Sequence, residues 1–152
     1  MITAPSPMLE SSKLVKYATT DPPVVFTGRQ VIYLDGKLLD AAPRLAICEN
    51  LSDQRVHLLL CDGDWNVIAA STGDSLVEVE EMAERWYRGI EDKWIKSPYS
   101  EEEFRKYAGD QREELRCSFC GRWDWEYGQA FSVQGSNICD VCVRSFFEKL
   151  SG

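Results

Sequence analysis

The sequence contains a single histidine, His57, and neither an H-E-x-x-H nor a G-x-x-x-x-G-K-[ST] motif. One imidazole serves as a general base only with a nucleophile or acid positioned beside it, and no nucleophile elbow accompanies this one. The chain is therefore expected to be non-catalytic, with His57 a structural residue inside an apolar strand and no phosphate loop to take a nucleotide. No apolar run approaches the roughly 20 residues needed to cross a bilayer. The stretch Met1 to Glu10 carries two prolines and no basic segment ahead of an apolar one, so it does not read as a secretory signal. No basic patch interrupts a formal net charge of −8. Nucleic-acid phosphates repel such a chain, and acidity is otherwise an ordinary route to solubility. A cytoplasmic protein engaging neither membrane nor nucleic acid is expected.

What the sequence does have is concentrated near its end. Cys117-Ser118-Phe119-Cys120-Gly121 is answered, after an interval of eighteen residues, by Cys139-Asp140-Val141-Cys142. Two C-x2-C pairs at such a separation are the spacing of a structural zinc site. Each pair bends the backbone around one side of an ion, and Gly121 lets the chain turn away at once. Four sulfur ligands and no fifth candidate make a closed site, so one zinc ion on Cys117, Cys120, Cys139 and Cys142 would hold a fold and activate no water. The competing readings are two disulfides or four unconnected core cysteines. Chance rarely sets two such pairs at this separation, which favours the metal.

These residues carry a family resemblance. Cys117-Ser118-Phe119-Cys120-Gly121-Arg122, the eighteen-residue interval, and Ile138-Cys139-Asp140-Val141-Cys142-Val143 resemble the zinc-binding domain of the ClpX unfoldase. Tyr127, Ala130 and Phe131 fall where that domain carries its aliphatic residues. The resemblance covers residues 112–152. It implies a treble-clef-like unit, with a knuckle, a β-hairpin and a helix beginning at the second cysteine pair. It also implies dimerisation, or docking of adaptors and unfolded polypeptides, through apolar surface. In ClpX an ATPase motor follows this domain; here the motif comes last and the phosphate loop is missing, so unfoldase activity is not expected.

Ahead of this module the sequence reads as one α+β domain over residues 24–97. Residues 1–23 read as a tail, bracketed by prolines, in which Lys13 to Tyr17 could dock as a brief strand. Gln30 to Leu34 and Lys37 to Leu39 flank Asp35-Gly36, which supplies the positive φ of a two-residue hairpin turn. Arg44 to Asn50, Arg55 to Asp62 and Trp65 to Ala70 follow as strands of an antiparallel meander. The nearly continuous apolar run Val56 to Cys61 should lie centrally, covered on both faces. Ser75 and Glu78 form a capping box. Leu76, Val79, Ala83, Trp86, Tyr87 and Ile90 then make one apolar stripe that packs on the sheet, with Gly89 as the stop and Trp94-Ile95 as a last edge strand. Residues 98–115 are expected as a connecting helix, with Phe104, Tyr107, Ala108 and Leu115 apolar and Gly109 weakening it by up to about 1 kcal/mol. The zinc module occupies 116–152.

The remaining candidates concern partners. Trp123, Trp125 and Tyr127 share one parity on an expected hairpin strand, and so line one face. Packing within the protein, a protein-binding hot spot and, least favoured, base stacking are the readings open to them. Val143, Phe146, Phe147 and Leu150 share a helical face that must meet the metal site, the N-terminal domain or a second copy. Glu78, Glu80, Glu81 and Glu84 form an acidic helix face, either simply solvated or a dock for a basic partner. Asp62-Gly63-Asp64 reads as a turn, without the remaining ligands of a calcium loop. Cys48 and Cys61 read as buried free thiols. The leading function is a zinc-binding protein–protein interaction module. The alternative is an acidic immunity protein or inhibitor that covers a toxin or enzyme.

Overall fold

A computed structural model describes residues 2–112, 116–133 and 136–151. The chain forms two compact units, Met1–Ser100 and Glu101–Gly152. The first carries β1 (Met8–Leu9), β2 (Ser12–Thr19), β3 (Val25–Phe26), β4 (Ile32–Leu34), β5 (Lys37–Leu39), β6 (Arg44–Asn50), β7 (Val56–Cys61), β8 (Val67–Gly73), α1 (Leu76–Trp86), β9 (Tyr87–Arg88) and β10 (Ile95–Lys96). The second carries α2 (Glu101–Arg112), β11 (Ala130–Val133), β12 (Ser136–Cys139) and α3 (Asp140–Ser151). The class is α+β, as the alternation of short strands and capped helices predicts.

The main sheet runs β1-β2-β6-β7-β8, with β10 also paired to β2, and every pairing is antiparallel. β6, β7 and β8 are the expected meander. β7 sits between two neighbours, and five of its six residues are buried. On one face Leu45, Ile47, Leu58 and Leu60 pack under Val79 and Ala83 of α1, with Tyr87 and Ile90 beyond the helix. The opposite face, Leu14, Tyr17, Ala46, Cys48, Leu59 and Cys61, is covered by Ile2, Ala4, Leu9, Trp65 and Tyr99. Two hydrogen bonds fasten that cover: Trp65 Nε1 donates to the Thr3 carbonyl at 2.9 Å and Tyr99 Oη to that of Pro5 at 2.7 Å.

The expected tail is thus part of the domain. β2 lies inside the sheet, paired along its length with β6, while β1 and β10 share its outer edge. A β-bulge between Leu14 and Lys16 puts Leu14 and Tyr17 on the same face three residues apart, which hides the strand's period of two. The expected connecting helix belongs to the second unit, and of its residues 113–115, Leu115 included, lie outside the described ones.

Local signals behave as their chemistry requires. The β4–β5 hairpin turns through Asp35 at φ 52° and Gly36 at φ 77°. Ser75 caps α1 by accepting from the Glu78 amide at 3.1 Å. The reciprocal bond of the capping box reaches one residue further back, where the Asp74 amide donates to Glu78 Oε2. α1 ends at Trp86, ahead of the expected stop. Tyr87–Arg88 turns into a strand against β3, and Gly89 bends the chain at φ 92° into a short 3₁₀ turn. Asp62 organises its turn by accepting from the amides of Asp64 and Asn66 at 2.9 Å each.

Cys48 and Cys61 are buried free thiols. The β6–β7 register sets Cys48 opposite His57 and Cys61 opposite Arg44, so the two are not cross-strand partners. Burial foremost, then the charges of Asp62 and Glu10, push the Cys61 thiol from near 9 up to about 12. The folded state therefore retains a proton that the unfolded chain loses above pH 9, and stability falls as pH rises from 9 towards 12. In reducing buffer, Cys61→Ala should flatten that alkaline loss in thermal melts, while an unchanged slope would assign it to other groups.

Candidate metal centre

Besides Phe104, Ala108 and Trp123, the second unit buries a cluster of Cys117, Cys139 and Cys142, with Tyr127 and Ile138 packed against them. The sequence brings the sulfurs together through three short devices. The first is a knuckle: the Gly121 amide donates to the Cys117 carbonyl at 3.1 Å, and the Cys117 amide to that of Arg122 at 2.8 Å. Gly121 makes this turn at φ 77°, and a side chain there would meet the Arg116 guanidinium at 3.1 Å. The second is the β11–β12 hairpin, in which Ala130 pairs with Cys139. Ser118 ties the knuckle to β12 through its amide on the Asn137 carbonyl at 2.8 Å and its hydroxyl on the Asn137 amide at 3.0 Å. The third is α3, which starts at Asp140, so that Cys139 ends a strand and Cys142 sits in the first helical turn. Asp140 pins that start by accepting from the Gly128 amide at 3.1 Å. Knuckle, hairpin and helix give a treble-clef-like unit.

The four Sγ atoms all lie within 4.8 Å of one another. Cys117 and Cys142 stand 3.8 Å apart, Cys120 and Cys139 3.7 Å. A disulfide needs about 2.05 Å. Thiolates at about 2.3 Å from a tetrahedral metal ion would be separated by about 3.8 Å, the edge of that tetrahedron. Two opposite edges of the cluster therefore already have the length that one ion imposes. The chemistry of the donors fits as well. Burial opposes ionisation of Cys117, but the amides of Cys120, Cys139 and Phe119 outweigh it and draw the thiol down to about 6. Cys120 is also lowered against burial, by the amide and side chain of Arg122. Cys142 is pushed up to about 12, by burial first and then by the neighbouring sulfurs. A cation among them relieves that repulsion. The residues fit one metal ion.

The aromatic residues take a different form from the expected strand. Asp124–Glu126 is a single 3₁₀ turn, and β11 begins only at Ala130. An alternation of aromatic and acidic residues satisfies a strand, but Glu126 folds back instead. Its Oε1 accepts from the Trp123 amide at 3.2 Å and from Arg105 of α2 at 2.8 Å. Trp123 is buried, stacked on Trp125 at 5.6 Å, with the Arg116 guanidinium 4.5 Å from its ring. Trp125 in turn lies 6.2 Å from Phe104. Tyr127 packs on the cysteine cluster. Phe146 and Phe147 on α3 are 41 % and 68 % exposed, with Phe119 edge-on to Phe146 at 5.9 Å.

The remaining candidates lie in the first unit. His57 is held by Thr72, Nδ1 to Oγ1 at 2.7 Å, with Asn50 at 3.5 Å from Nε2. The acidic face of α1 is largely engaged. Glu80 pairs with Lys16, and Glu84 accepts from the amides of Gly89 at 2.7 Å and Glu91 at 3.1 Å. Glu81 lines a groove that also holds Lys16, Arg85 and Lys96, so the surface there is mixed in sign. Among the described residues no helix is long and apolar enough to cross a membrane. No family model, curated protein or solved structure matches the chain.

Gly109, a weak point for a helix by propensity, has a packing reason. A Cβ there would lie 2.3 Å from the Trp123 ring. Alanine gains about 1 kcal/mol of helix propensity, whereas forcing extra atoms into a filled site costs about 1–3 kcal/mol. Gly109→Ala should therefore lower the stability of the second unit and shift its tryptophan fluorescence; a stabilised variant would place Trp123 elsewhere. The protonated state of Cys142 makes a second prediction. Metal uptake at neutral pH must displace protons, so affinity should rise from about pH 6 to about pH 8 in competition with a chromophoric chelator, and a flat profile would contradict thiolate ligation.

Proposed function

We propose that this chain is a non-catalytic, zinc-stabilised interaction protein. One structural zinc ion on Cys117, Cys120, Cys139 and Cys142 fixes the C-terminal module, and the apolar face of α3 docks a polypeptide or a second copy. The observation that carries this reading is the pairing of a closed four-sulfur cluster with apolar side chains left in solvent beside it. Zinc suits four thiolates in a tetrahedral set, and such sites contribute folding energy outright. Among the described residues no fifth donor joins the four sulfurs, so the ion would organise backbone and activate nothing. The order and interval of the cysteines resemble those of the ClpX zinc-binding domain, and that likeness supports docking through aliphatic and aromatic surface.

Which residues would meet the partner follows from exposure. Trp123 is committed to α2 and Tyr127 to the cysteines, which leaves Phe119, Phe146, Phe147 and Leu150, all exposed. Contiguous apolar surface of this kind marks interaction sites. The reading as an acidic inhibitor gains less, because Glu78, Glu80 and Glu84 are occupied within the first unit.

Native mass spectrometry should find one zinc ion per chain. Chelation, or Cys139→Ser, should unfold the second unit while the sheet of the first keeps its amide protection by hydrogen exchange. Retention of native structure in both units without metal would sink the structural-zinc reading. For the surface, Phe146→Ser with Phe147→Ser should weaken binding of a labelled, permanently unfolded polypeptide by about tenfold or more, at unchanged zinc content. Equal binding would move the dock off α3.

A further inference from the structure

A pocket of about 470 Å³ opens over the main sheet towards β8. Its lining comes from β2, β6, β7 and β8 and from the turn ahead of β2. Leu59 and Val67 give it an apolar side, and Glu10, Ser12, Asn50, His57 and Thr72 are its polar groups. Apolar walls with a few polar groups are the usual make-up of a small-molecule site, and the volume lies in the usual range. Glu10 sits in the two-residue turn between β1 and β2, where it and Ser11 both have positive φ, 49° and 60°. A turn of that form is normally built from Asn-Gly or Gly-Gly. Left-handed backbone at Glu and Ser is strain, and strain of this kind collects at ligand sites.

The hydrogen bonds around His57 fix which ring nitrogen accepts. Asn50 Oδ1 accepts from the amides of Ser52 at 2.8 Å and Asp53 at 3.2 Å. Backbone amides only donate, so the Asn50 carbonyl faces them and its NH₂ group faces His57 Nε2, 3.5 Å away. Nε2 is then an acceptor, and the ring proton on Nδ1 goes to Thr72 Oγ1 at 2.7 Å. The contact from Asn50 is long, which leaves the Nε2 lone pair largely unused. Ser12 is spare in the same way: its buried hydroxyl reaches only the Glu10 carbonyl, at 3.5 Å. Glu10 is the one charged residue of the lining, and among the described residues no ion pair engages it.

We propose that this pocket binds a primary aliphatic ammonium group, that of a small amine or of a lysine side chain. The Glu10 carboxylate selects a cation, and no basic residue of the lining competes with it. An –NH₃⁺ group turns its three N–H bonds to separate acceptors; the carboxylate, Nε2 and the Ser12 hydroxyl are three that stand spare. Leu59 and Val67 then take the methylenes. A quaternary ammonium wants aromatic faces, and no Phe, Tyr or Trp lines the pocket. Among the described residues only the four cysteines of the second unit gather as metal donors, so an organic cation is favoured over a metal ion. The pocket lies in the first unit and does not depend on the metal.

The test uses the full chain, whose single histidine makes the ring signals unambiguous. Long-range proton–nitrogen NMR spectra at mildly alkaline pH should show the ring proton on Nδ1 and a bare Nε2. Titration with butylamine at constant ionic strength should move Nε2 and the amides of Glu10, His57 and Thr72 to saturation. A Kd in the millimolar range suits a ligand of so few atoms. Butanol, equally long but uncharged, should leave those signals in place. Glu10→Gln should keep native circular dichroism and weaken butylamine binding by about tenfold or more. Nα-acetyl-lysine methylamide separates the two sources. Binding at least as tight as butylamine's assigns a lysine side chain, and weaker binding assigns a free amine. A ring proton on Nε2 in the free protein overturns the proposal. So do shifts that fail to saturate or that spread along the acidic face of α1, and so does butylamine binding unchanged in Glu10→Gln.

Discussion

Sulfur standing close to sulfur is the constraint on which the C-terminal unit depends. Around the sulfurs, a tyrosine and an isoleucine packed on three buried cysteines are little apolar surface for ordering that part of the unit. The same thiols, once ionised, repel one another across less than 5 Å. A cation bound among them would turn that repulsion into attraction, and the neighbouring devices converge on the sulfurs. The Cys139 amide points at the Cys117 sulfur, Gly121 turns the knuckle, and Asp140 fixes where the helix starts. The tryptophan pair packed against α2 is a second anchor on the same unit.

The parts legible in the sequence are those set by neighbours along the chain. Asp35-Gly36 specifies its turn by φ alone, Ser75 caps a helix three residues ahead, and two C-x2-C pairs specify a cluster because each is a single turn. What hid from the sequence depends on contacts far apart in the chain. β2 reads as a tail because a bulge after Leu14 breaks its alternation, and because its partners β6 and β10 lie far downstream. Trp123, Trp125 and Tyr127 fit a strand by parity, but Glu126 folds back on the Trp123 amide, where Arg105 of α2 also engages it, and the chain makes a 3₁₀ turn. Gly109 is a flaw by helix propensity and a seat for an indole ring in three dimensions.

The four glutamates of α1 show why composition says less than position. Counted along the chain they are an acidic patch. In the fold, one closes the helix start, one pairs with a lysine on β2, and one holds the turn around Gly89. The charge of these three is engaged within the domain itself, while the fourth, Glu81, lines a groove shared with Lys16, Arg85 and Lys96.

The place of β2 also bears on the order in which the first unit can form during synthesis. β2 leaves the ribosome early, yet β6 pairs with one of its edges and β10, at Ile95–Lys96, with the other. Leu14 and Tyr17 must therefore stay uncovered while most of the unit is made, and long-range pairing of this sort is slow. β6, β7 and β8, by contrast, are joined by short turns and can assemble as soon as they emerge. The nascent chain thus passes through a stage with a three-stranded meander and an unplaced first strand, during which both flanks of the meander are open. A molecular chaperone acting on this protein would find its substrate at that stage.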